Sequence, residues 1–332
     1  MSRVLIFGAG GVGSIYAYIL LQGGASVTAV CRSNYETVKR DGFTINSAIW
    51  GEGIKILPGV VRTVEEAANT DWDYVVLCSK AMPGASPSTA QVIRPVVGTG
   101  TTVVLCQNGI HIEDEYRRVF PGNAIVSAVV YLPVTQIAAG LIKHGNLEIL
   151  EHGNLEILEV GTYPSDAPAE HKDATVRFAE LFRKGKGTID VFDDIQSRRW
   201  NKLIVNGTWN PLCALSRSMD IDLLSASENA SEMVFKVKME IVSIAQAHGY
   251  KEIQESNARF LMDRVKGRRP DNGVYPSMVA DAVEMRPMEV EAIVGGALKA
   301  ARERGVGTPF LDLIYVLIKA LDNSNRRKRA QT

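Results

Sequence analysis

The first half of the chain alternates short apolar runs with segments of helical character. Five apolar runs have the length of buried strands: Val4–Phe7, Ala25–Val30, Tyr74–Cys78, Thr102–Cys106 and Ala124–Val130. Enough residues for a crossover connection separate each run from the next. Continuous apolar strands that alternate with helices are typical of a parallel sheet buried on both faces. The pattern therefore predicts a doubly wound α/β domain over residues 1–192.

The spacing of apolar positions changes in the second half of the chain. Six segments have a helical period: residues 194–216, 228–248, 254–266, 276–285, 288–304 and 309–322. Glycines lie near the predicted helix ends and prolines at predicted starts: Gly249, Gly305, Gly307, Pro276 and Pro309. No apolar run in this half has the pattern of a strand. An all-helical domain is therefore predicted over residues 193–325.

An eight-residue segment occurs twice in succession. Residues 144–151 have the sequence HGNLEILE, and residues 152–159 repeat it without a change. An even repeat length keeps the same alternation of side chains if both copies form strand. A single short repeat does not make a repeat architecture, which needs several units to bury a core. We interpret it as a local duplication and expect one copy to be a loop or a strand extension, without a catalytic role.

The composition is that of a globular protein without a preferred charged partner. Of the 332 residues, 46% are hydrophobic and 22% are charged, and 37 basic residues balance 37 acidic ones. A net charge of zero excludes a global field that attracts nucleic acid or an anionic membrane, and the basic cluster at residues 326–329 is interpreted as a solvated chain end. No apolar run approaches the ~20 residues that span a bilayer, and no signal peptide is visible. Four cysteines without paired spacing are typical of reduced thiols, so a cytoplasmic protein without a bound metal is predicted.

A glycine-rich loop follows the first predicted strand. Its six residues fit the pattern G-x-G-x-x-G: Gly8, Ala9, Gly10, Gly11, Val12 and Gly13. In this pattern the first glycine permits a tight turn, the second lets a pyrophosphate approach the backbone, and the third lets the helix pack closely on the strand. The helix that follows offers unpaired N–H groups to the anion. The strand–loop–helix context therefore predicts a dinucleotide-binding site.

The end of the second predicted strand bears on which nicotinamide dinucleotide is bound. NAD enzymes place an acidic residue about 20 residues beyond the loop to bind the ribose 2′-hydroxyl. In this chain the first acidic residue is Glu36, and the strand is instead followed by Arg32 and Ser33. A guanidinium suits phosphate because its charge is permanent and its donors form a fixed fork. We therefore predict NADPH/NADP+ as the cofactor, with Arg32 at its 2′-phosphate.

A polar stripe runs along the first predicted helix of the second half. Lys202, Asn206 and Asn210 recur at i, i+4 and i+8 and so share one face. A solvent-facing stripe is one interpretation. The rest of the circumference is apolar, however, so these groups need polar partners or an aqueous cleft.

Other motifs, taken with these, carry a resemblance to a known family. Ser79-Lys80 and Gln107-Asn108-Gly109 each follow a predicted strand, and residues 276–278 (PSM) precede residues 288–293 (MEVEAI). Together with the glycine loop and the helix at residues 200–212 (WNKLIVNGTWNPL), they make nearly the whole chain resemble the ketopantoate reductases (2-dehydropantoate 2-reductases). The resemblance implies an α/β protein with an N-terminal Rossmann-type dinucleotide-binding domain followed by an all-helical C-terminal domain. It also implies that NADPH and a 2-keto acid meet between the two domains.

The resemblance assigns roles to individual residues. Residues implied to contact the cofactor, beyond the glycine loop, are Arg32, Lys80 and Asn108. Residues implied to act in catalysis are Lys202, as the proton donor, and Glu289, as the essential acid. Residues implied to bind the substrate are Asn206, Asn210 and Ser277, the last at its carboxylate.

The implied reaction is the NADPH-dependent reduction of a 2-keto acid to a 2-hydroxy acid. The first choice of substrate is 2-dehydropantoate (ketopantoate), in pantothenate and coenzyme A biosynthesis. Met288 stands where many members of the family have Thr, and Glu291 where Asp is usual, so another 2-keto acid or a secondary-metabolite carbonyl is an alternative. A non-catalytic NADPH-binding regulator is the alternative from a different class. The partner implied is a small molecule, and the apolar final helices are compatible with a homodimer.

Overall fold

Two compact units make up the chain in the computed structural model, which describes residues 1–145, 157–269 and 271–331. The first unit comprises Met1–Ala81, Ala85–Gln107 and Glu113–Ile195. The second comprises Met82–Gly84, Asn108–Ile112 and Gln196–Thr332. Two short segments from the first half of the chain, residues 82–84 and 108–112, thus belong to the helical unit.

All strands of the described residues lie in the first unit, in two sheets. The strands are β1 (Arg3–Phe7), β2 (Ser26–Val30), β3 (Phe43–Ser47), β4 (Gly51–Ile56), β5 (Gly59–Val61), β6 (Tyr74–Leu77), β7 (Thr102–Leu105), β8 (Ile125–Tyr131), β9 (Val134–Ala138), β10 (Leu141–His144), β11 (Ile157–Tyr163) and β12 (Ile189–Val191). The larger sheet has the order β12-β11-β8-β7-β6-β1-β2-β5, and the smaller one has the order β4-β3-β10-β9.

The larger sheet has the doubly wound topology that the apolar runs predict. From β8 to β5 every neighbouring pair of strands is parallel, and all residues of β6 and β7 are buried. The chain order reverses at β1, which has β2 on one side and β6 on the other. In open α/β sheets, ligands bind beyond the carboxyl ends of the strands at such a switch point. The α/β prediction is confirmed, and the glycine loop leaves β1 at this point.

Two features of this unit differ from the sequence-based expectation. Strand β11 is antiparallel to β8, with Ile157 opposite Tyr131, and so adds an antiparallel pair to the parallel sheet that the five apolar runs predict. The smaller sheet was not predicted at all. Its strands alternate buried and half-buried positions, as in β3, or are largely exposed, as in β9. Short half-exposed strands of this kind leave no continuous apolar run to recognise.

Among the described residues of the first unit, five α-helices accompany the sheets. They are α1 (Gly11–Gln22), α2 (Tyr35–Asp41), α3 (Thr89–Val92), α4 (Glu113–Val119) and α5 (Ala169–Lys184). The apolar core of the unit includes Ile15 and Ile19 of α1 together with Ile6, Val76 and Val104 of the sheet, all of them 0% or 1% exposed. Helix α1 is thereby fixed against the strand that precedes the glycine loop.

Helices joined by loops, with no strand, make up the described residues of the second unit, which confirms the predicted all-helical domain. Its helices are α6 (Ile195–Ser216, of which Ile195 belongs to the first unit), α7 (Asp220–Leu224), α8 (Ala230–Ala247), α9 (Glu255–Lys266), α10 (Ser277–Val283), α11 (Gly296–Glu303) and α12 (Pro309–Arg329). A π-helical turn, Glu291–Gly295, precedes α11. Helix α7 is too short for its period to be recognised in the sequence.

Helix α12 is longer than the sequence pattern predicted. It was expected to end at residue 322, with the basic cluster of residues 326–329 in the last turn or a solvated tail, and the helix continues to Arg329. The four basic side chains therefore occupy its last turn. Cations at that end interact favourably with the helix dipole.

Helix ends in this unit follow the expected glycines. Gly249 and Gly305 have φ of +97° and +66°, in the left-handed region. The N–H groups that follow them, of Tyr250 and Val306, donate back to Ala245 and to residue 301 at 3.1 and 2.9 Å. Such bonds end a helix by satisfying its last carbonyls. The predicted ends are confirmed at these two positions.

Within the described part of the chain, no helix is long and apolar enough to cross a membrane. The four cysteines form no disulfide. Burial raises the pKa of the Cys31 thiol to about 11 and that of the Cys213 thiol to about 12. Both therefore stay protonated at neutral pH, where a thiol is a poor nucleophile.

The duplicated segment connects the two sheets. Its first copy begins at His144 in β10, its second copy ends in β11, and residues 146–156 lie outside the described residues. His144 pairs with Val134, whereas Ile157 pairs with Tyr131. Only two residues separate Tyr131, at the end of β8, from Val134, at the start of β9. A single copy of the repeat is therefore long enough to run from the pairing of β10 with β9 to the pairing of β11 with β8.

Deletion of residues 152–159 is expected to leave the fold and the activity nearly intact. The remaining copy supplies the same Ile-Leu-Glu sequence to the start of β11, and surplus loop residues affect stability little. The Tm measured by circular dichroism should stay within about 2 °C of the parent, which is about 1 kcal/mol for a large domain. Replacing residues 149–156 by eight Gly and Ser residues is the length-matched control, because it keeps β11 with its buried Leu158, and it should behave in the same way. A collapse of Tm in the deletion variant alone would mean that both copies are structural.

Candidate active site

The glycine loop turns between β1 and α1 through two positions that only glycine can fill. Gly8 has φ of +97°, and a Cβ there would lie 2.4 Å from the backbone nitrogen of Ser79. A Cβ at Gly13 would lie 2.4 Å from the carbonyl oxygen of Gly8. The first contact brings the loop against the end of β6, and the second brings α1 against the loop. Both positions therefore require glycine for the reasons that the sequence pattern indicates.

The middle of the loop is open to a ligand. No atom lies within 4 Å of the place that a Cβ of Gly10 would occupy. The Ser14 N–H donates to the Gly10 carbonyl at 3.0 Å, so α1 begins here and the N–H groups of its first turn lack intrahelical partners. That turn contains no acidic residue. The loop therefore fits the pyrophosphate of a nicotinamide dinucleotide.

A buried asparagine holds the loop, although no sequence motif predicts a role for it. The side-chain amide of Asn34 donates to the carbonyl of Ala9 at 2.9 Å and to Gln136 Oε1 at 3.3 Å. Asn34 is 6% exposed although it follows a strand in a polar stretch that suggests a surface turn. Its partner lies 25 residues earlier, so no local pattern could have identified it. The other two loop residues, Gly11 and Val12, pack beside Val134 and on the apolar core.

Two basic residues stand on either side of the loop. Arg32 follows β2 and is exposed, and Lys80 follows β6 and is half-buried. Because β2, β1 and β6 are adjacent and parallel, their carboxyl ends meet at one edge of the sheet. The predicted cofactor residues of the first unit thus share the edge at which the chain order reverses.

In the second unit, Asn108 links three of the other predicted residues. Lys202 Nζ and Asn206 Nδ2 both donate to Asn108 Oδ1, at 3.1 and 3.3 Å. Asn108 Nδ2 donates to Glu289 Oε2 at 3.1 Å. These bonds orient the amide, with its oxygen towards the two donors and its nitrogen towards the carboxylate. The resemblance implied a cofactor contact for Asn108, and that role stays a prediction.

Helix α6 presents Lys202 and Asn206 on its polar face, one turn apart. Its other faces are buried, with Leu203, Ile204 and Trp209 at most 3% exposed. Lys202 and Asn206 themselves are half-buried. The stripe is therefore not a simple solvent-facing surface, because two of its groups bond to an amide from a remote segment of the chain.

Two predicted substrate residues lie outside this hydrogen-bonded group. Asn210 is one turn beyond Asn206 on α6 and is 4% exposed. Ser277 is the first residue of α10 and is exposed. Neither belongs to the set of side chains that Asn108 joins. Their substrate contacts stay predictions.

The backbone that follows Asn108 is fixed by contacts within the second unit. Gly109 has φ of +102°, and a Cβ there would lie 2.3 Å from the carbonyl oxygen of Ala292. That carbonyl accepts from the Ile110 N–H at 3.3 Å, and Arg199 donates to the Gly109 carbonyl at 2.8 Å. Only glycine allows this approach, which places Asn108 beside Glu289.

The segment around Glu289 corrects the predicted helix over residues 288–304. Glu289 is 9% exposed and precedes the helical residues, and the π-helical turn interrupts the segment before α11. Glu291 in that turn accepts from Tyr315 Oη at 3.0 Å and from Lys319 Nζ, both on α12. Burial, followed by this hydrogen bond, raises the pKa of Tyr315, so its hydroxyl stays a donor. π-helical turns are frequent at functional sites. This turn begins at Glu291, two residues after the predicted catalytic acid Glu289, and Glu291 bonds it to α12.

The arrangement in the second unit has a definite chemical capacity. An ammonium and an amide N–H converge on one carbonyl-type oxygen, Asn108 Oδ1. Donors that converge in this way stabilise negative charge that develops on an oxygen during reaction. A lysine ammonium can also transfer a proton to such an oxygen. The carboxylate of Glu289, held by the same amide, keeps the group oriented.

Comparison with known proteins gives a consistent family match. The family "Ketopantoate reductase PanE/ApbA" matches residues 4–156, and its C-terminal counterpart matches residues 194–322. A 2-dehydropantoate 2-reductase from Nostoc sp. is 28% identical over 325 residues, which cover 98% of this chain and 96% of the relative.

Solved structures are similar over almost the full length. The crystal structure of 2-dehydropantoate 2-reductase from Methylococcus capsulatus has a TM-score of 0.81 at 31% identity and covers 97% of both chains. D-mandelate dehydrogenase in a ternary structure with NADH and anilino(oxo)acetate has a TM-score of 0.81 at 22% identity, covering 98% of this chain and 99% of that one. At that identity the second likeness concerns the fold alone.

Proposed function

Because the chain belongs to the ketopantoate reductase family, we propose that it reduces the C2 carbonyl of a 2-keto acid with NADPH, and that 2-dehydropantoate is its substrate. Family membership makes the protein an oxidoreductase that acts on CH–OH groups and uses a nicotinamide dinucleotide. The product is then pantoate, in pantothenate and coenzyme A biosynthesis. The observation that carries the proposal is the convergence of Lys202 and Asn206 on a single carbonyl-type oxygen beside Glu289.

In the proposed reaction the second unit handles the substrate oxygen and its proton. The cofactor, when bound, supplies the hydride. Lys202 donates a proton to the C2 oxygen as negative charge develops there, and Asn206 donates a hydrogen bond to the same oxygen. Glu289 acts through Asn108 to hold the lysine in place. Asn210 and Ser277 bind the remainder of the substrate, with Ser277 near its carboxylate.

In the first unit the proposed cofactor contacts follow the sheet edge. The glycine loop holds the pyrophosphate against the first turn of α1. Arg32 binds the 2′-phosphate, since a permanent charge and a fixed fork of donors suit a phosphate. Lys80 is a further contact beyond β6. What supports NADPH over NADH is Arg32 together with the absence of any acidic residue before Glu36.

The test is a panel of 2-keto acids with NADPH and with NADH, followed by absorbance of the reduced nicotinamide. We expect ketopantoate to have the highest kcat/KM of the panel, and NADPH to exceed NADH by at least about tenfold, which corresponds to about 1.4 kcal/mol. Equal use of the two cofactors would contradict the assignment of Arg32. Oxidation of NADPH with none of the acids, by a preparation that binds it, would favour a non-catalytic regulator.

A reductase of a different 2-keto acid is the second candidate. It is favoured by Met288, which is 1% exposed, and by Glu291, the two positions at which the chain departs from the usual family pattern. This second candidate would be supported if the protein reduced other 2-keto acids readily and ketopantoate hardly at all. The homodimer and the cytoplasmic location stay predictions of the sequence.

A further inference from the structure

A second arginine stands beside Arg32 at the edge of the larger sheet. Strand β5 pairs with β2 in parallel, with Val61 opposite Val30, and the Cys31 N–H donates to the Val61 carbonyl at 2.9 Å. Arg62 therefore leaves the end of β5 next to the segment in which Arg32 leaves the end of β2. The two arginines occupy adjacent strand ends, on the side of β1 away from β6.

The side chain of Arg62 is held in place by an aromatic ring. Its guanidinium carbon lies 4.3 Å from the centroid of the Tyr35 ring, at the start of α2. Its backbone N–H donates to Glu66 Oε2 at 3.0 Å. A guanidinium packed over an aromatic ring loses little further freedom when it binds an anion, because its planar fork is already oriented.

The same guanidinium neutralises the first acidic residue of the chain. Arg62 forms an ion pair with Glu36, whose side chain is 78% exposed. Glu36 is the first acidic residue after β2, the strand at whose end NAD enzymes place a carboxylate against the ribose 2′-hydroxyl. While Glu36 is paired with Arg62, the negative charge of its carboxylate is neutralised.

We propose that Arg62 is a specificity-determining residue that binds the 2′-phosphate of NADPH together with Arg32, and that it does so by exchanging Glu36 for the phosphate. This inference rests on the proposed function in that it takes NADPH as the cofactor. Two guanidiniums match the double negative charge of a phosphate monoester better than one. An exposed ion pair with a carboxylate contributes little, so Glu36 is readily displaced by the more highly charged group.

The test measures binding of two nucleotides that differ only in the 2′-phosphate, adenosine 2′,5′-bisphosphate and adenosine 5′-monophosphate. Isothermal titration of the full chain needs no turnover. We expect Arg62→Ala to weaken binding of the bisphosphate by at least about tenfold, as for a lost hydrogen bond to a charged group, with less than about a twofold change for the monophosphate. Glu36→Gln should strengthen binding of the bisphosphate. Arg40→Ala is the matched control, because Arg40 lies on α2, the helix of Tyr35 and Glu36, in an exposed pair with Asp41, and it should change neither affinity.

The outcomes separate this inference from the proposed function. If the parent protein prefers the bisphosphate and only Arg32→Ala removes the preference, the role of Arg62 is wrong and the proposed function stands. Equal weakening of both nucleotides by Arg62→Ala would make it an adenosine contact and overturn its role at the phosphate. If the parent protein binds both nucleotides equally, the NADPH assignment itself fails. Unchanged binding of the monophosphate also shows that each variant is folded.

Discussion

Replacing Lys202 by alanine is expected to lower kcat by about 10²–10⁴-fold, the usual range for the loss of a general acid. A carbonyl that accepts hydride develops negative charge on its oxygen, and a positioned ammonium lowers the barrier by its charge and by its proton. Binding of NADPH should change little, because the proposed phosphate contacts lie in the first unit. Steady-state kinetics with ketopantoate, together with a separate titration of NADPH, measures both effects.

The control for Lys202→Ala is Lys299→Ala, which removes an exposed lysine of α11 and should leave kcat unchanged. Lys202→Arg keeps the charge but holds its proton too tightly to donate it, so it should recover little of the lost kcat. If Lys202 only anchored the substrate carboxylate, its alanine variant would show a large rise in KM with kcat largely retained. Near-native kcat in that variant would rule out the proton donor.

Replacing Lys238 by methionine is expected to stabilise the protein at neutral and lower pH, by about 1–4 kcal/mol as for other buried charges replaced by apolar residues. Lys238 on α8 is 0% exposed, and its Nζ donates to the Ile204 carbonyl at 3.3 Å and lies 4.6 Å from the centroid of the Trp209 ring. Burial lowers the pKa of Lys238 to about 7 from 10.5, against the opposing attraction of Asp220. The folded protein therefore bears the cost of a buried ammonium below that pH.

The pH dependence of this effect has a definite sign. Between the folded-state pKa of Lys238, about 7, and the ordinary value of 10.5, the unfolded chain binds one proton more than the folded chain. The stability of the parent protein therefore rises with pH through this window, by at most about 1.4 kcal/mol per pH unit from this group, and the slope is absent below it. The advantage of Lys238→Met should be largest below pH 7 and shrink towards pH 10. Urea unfolding of both proteins across this range measures it.

Lys236→Met is the matched control for Lys238→Met. Lys236 lies on the same helix, exposed and paired with Glu232, so its replacement should change stability little and without this pH dependence. The variant and the parent could also differ in unfolding free energy by the same amount at every pH. That result would mean that Lys238 keeps its ordinary pKa. Lower stability of the variant at every pH would mean that the carbonyl and ring contacts outweigh the burial of charge.

The sequence by itself determined the features that depend on neighbouring residues. The glycine loop could be recognised because Gly8 and Gly13 meet steric demands set by one strand, one turn and one helix. The helices of the second unit could be recognised because a helical period repeats every few residues. Arg32 could be singled out because the end of β2 follows the loop at a nearly constant distance. Lys202 and Asn206 could be placed on one helix face because residues four apart lie one turn above each other.

The tertiary structure alone decided which groups meet. The bonds of Asn108 to Lys202 and Glu289 join residues 94 and 181 positions apart, and no periodicity extends over such separations. The burial of Lys238 and of Asn34 follows from the elements that cover them, because a polar residue next to an apolar stripe looks solvated in the sequence. Whether β11 runs parallel or antiparallel to β8 is not determined by its own residues, because the same apolar strand can pair in either orientation. Local sterics and periodicity are written in short stretches of sequence, whereas charge burial and hydrogen-bond partners arise only when distant segments are packed together.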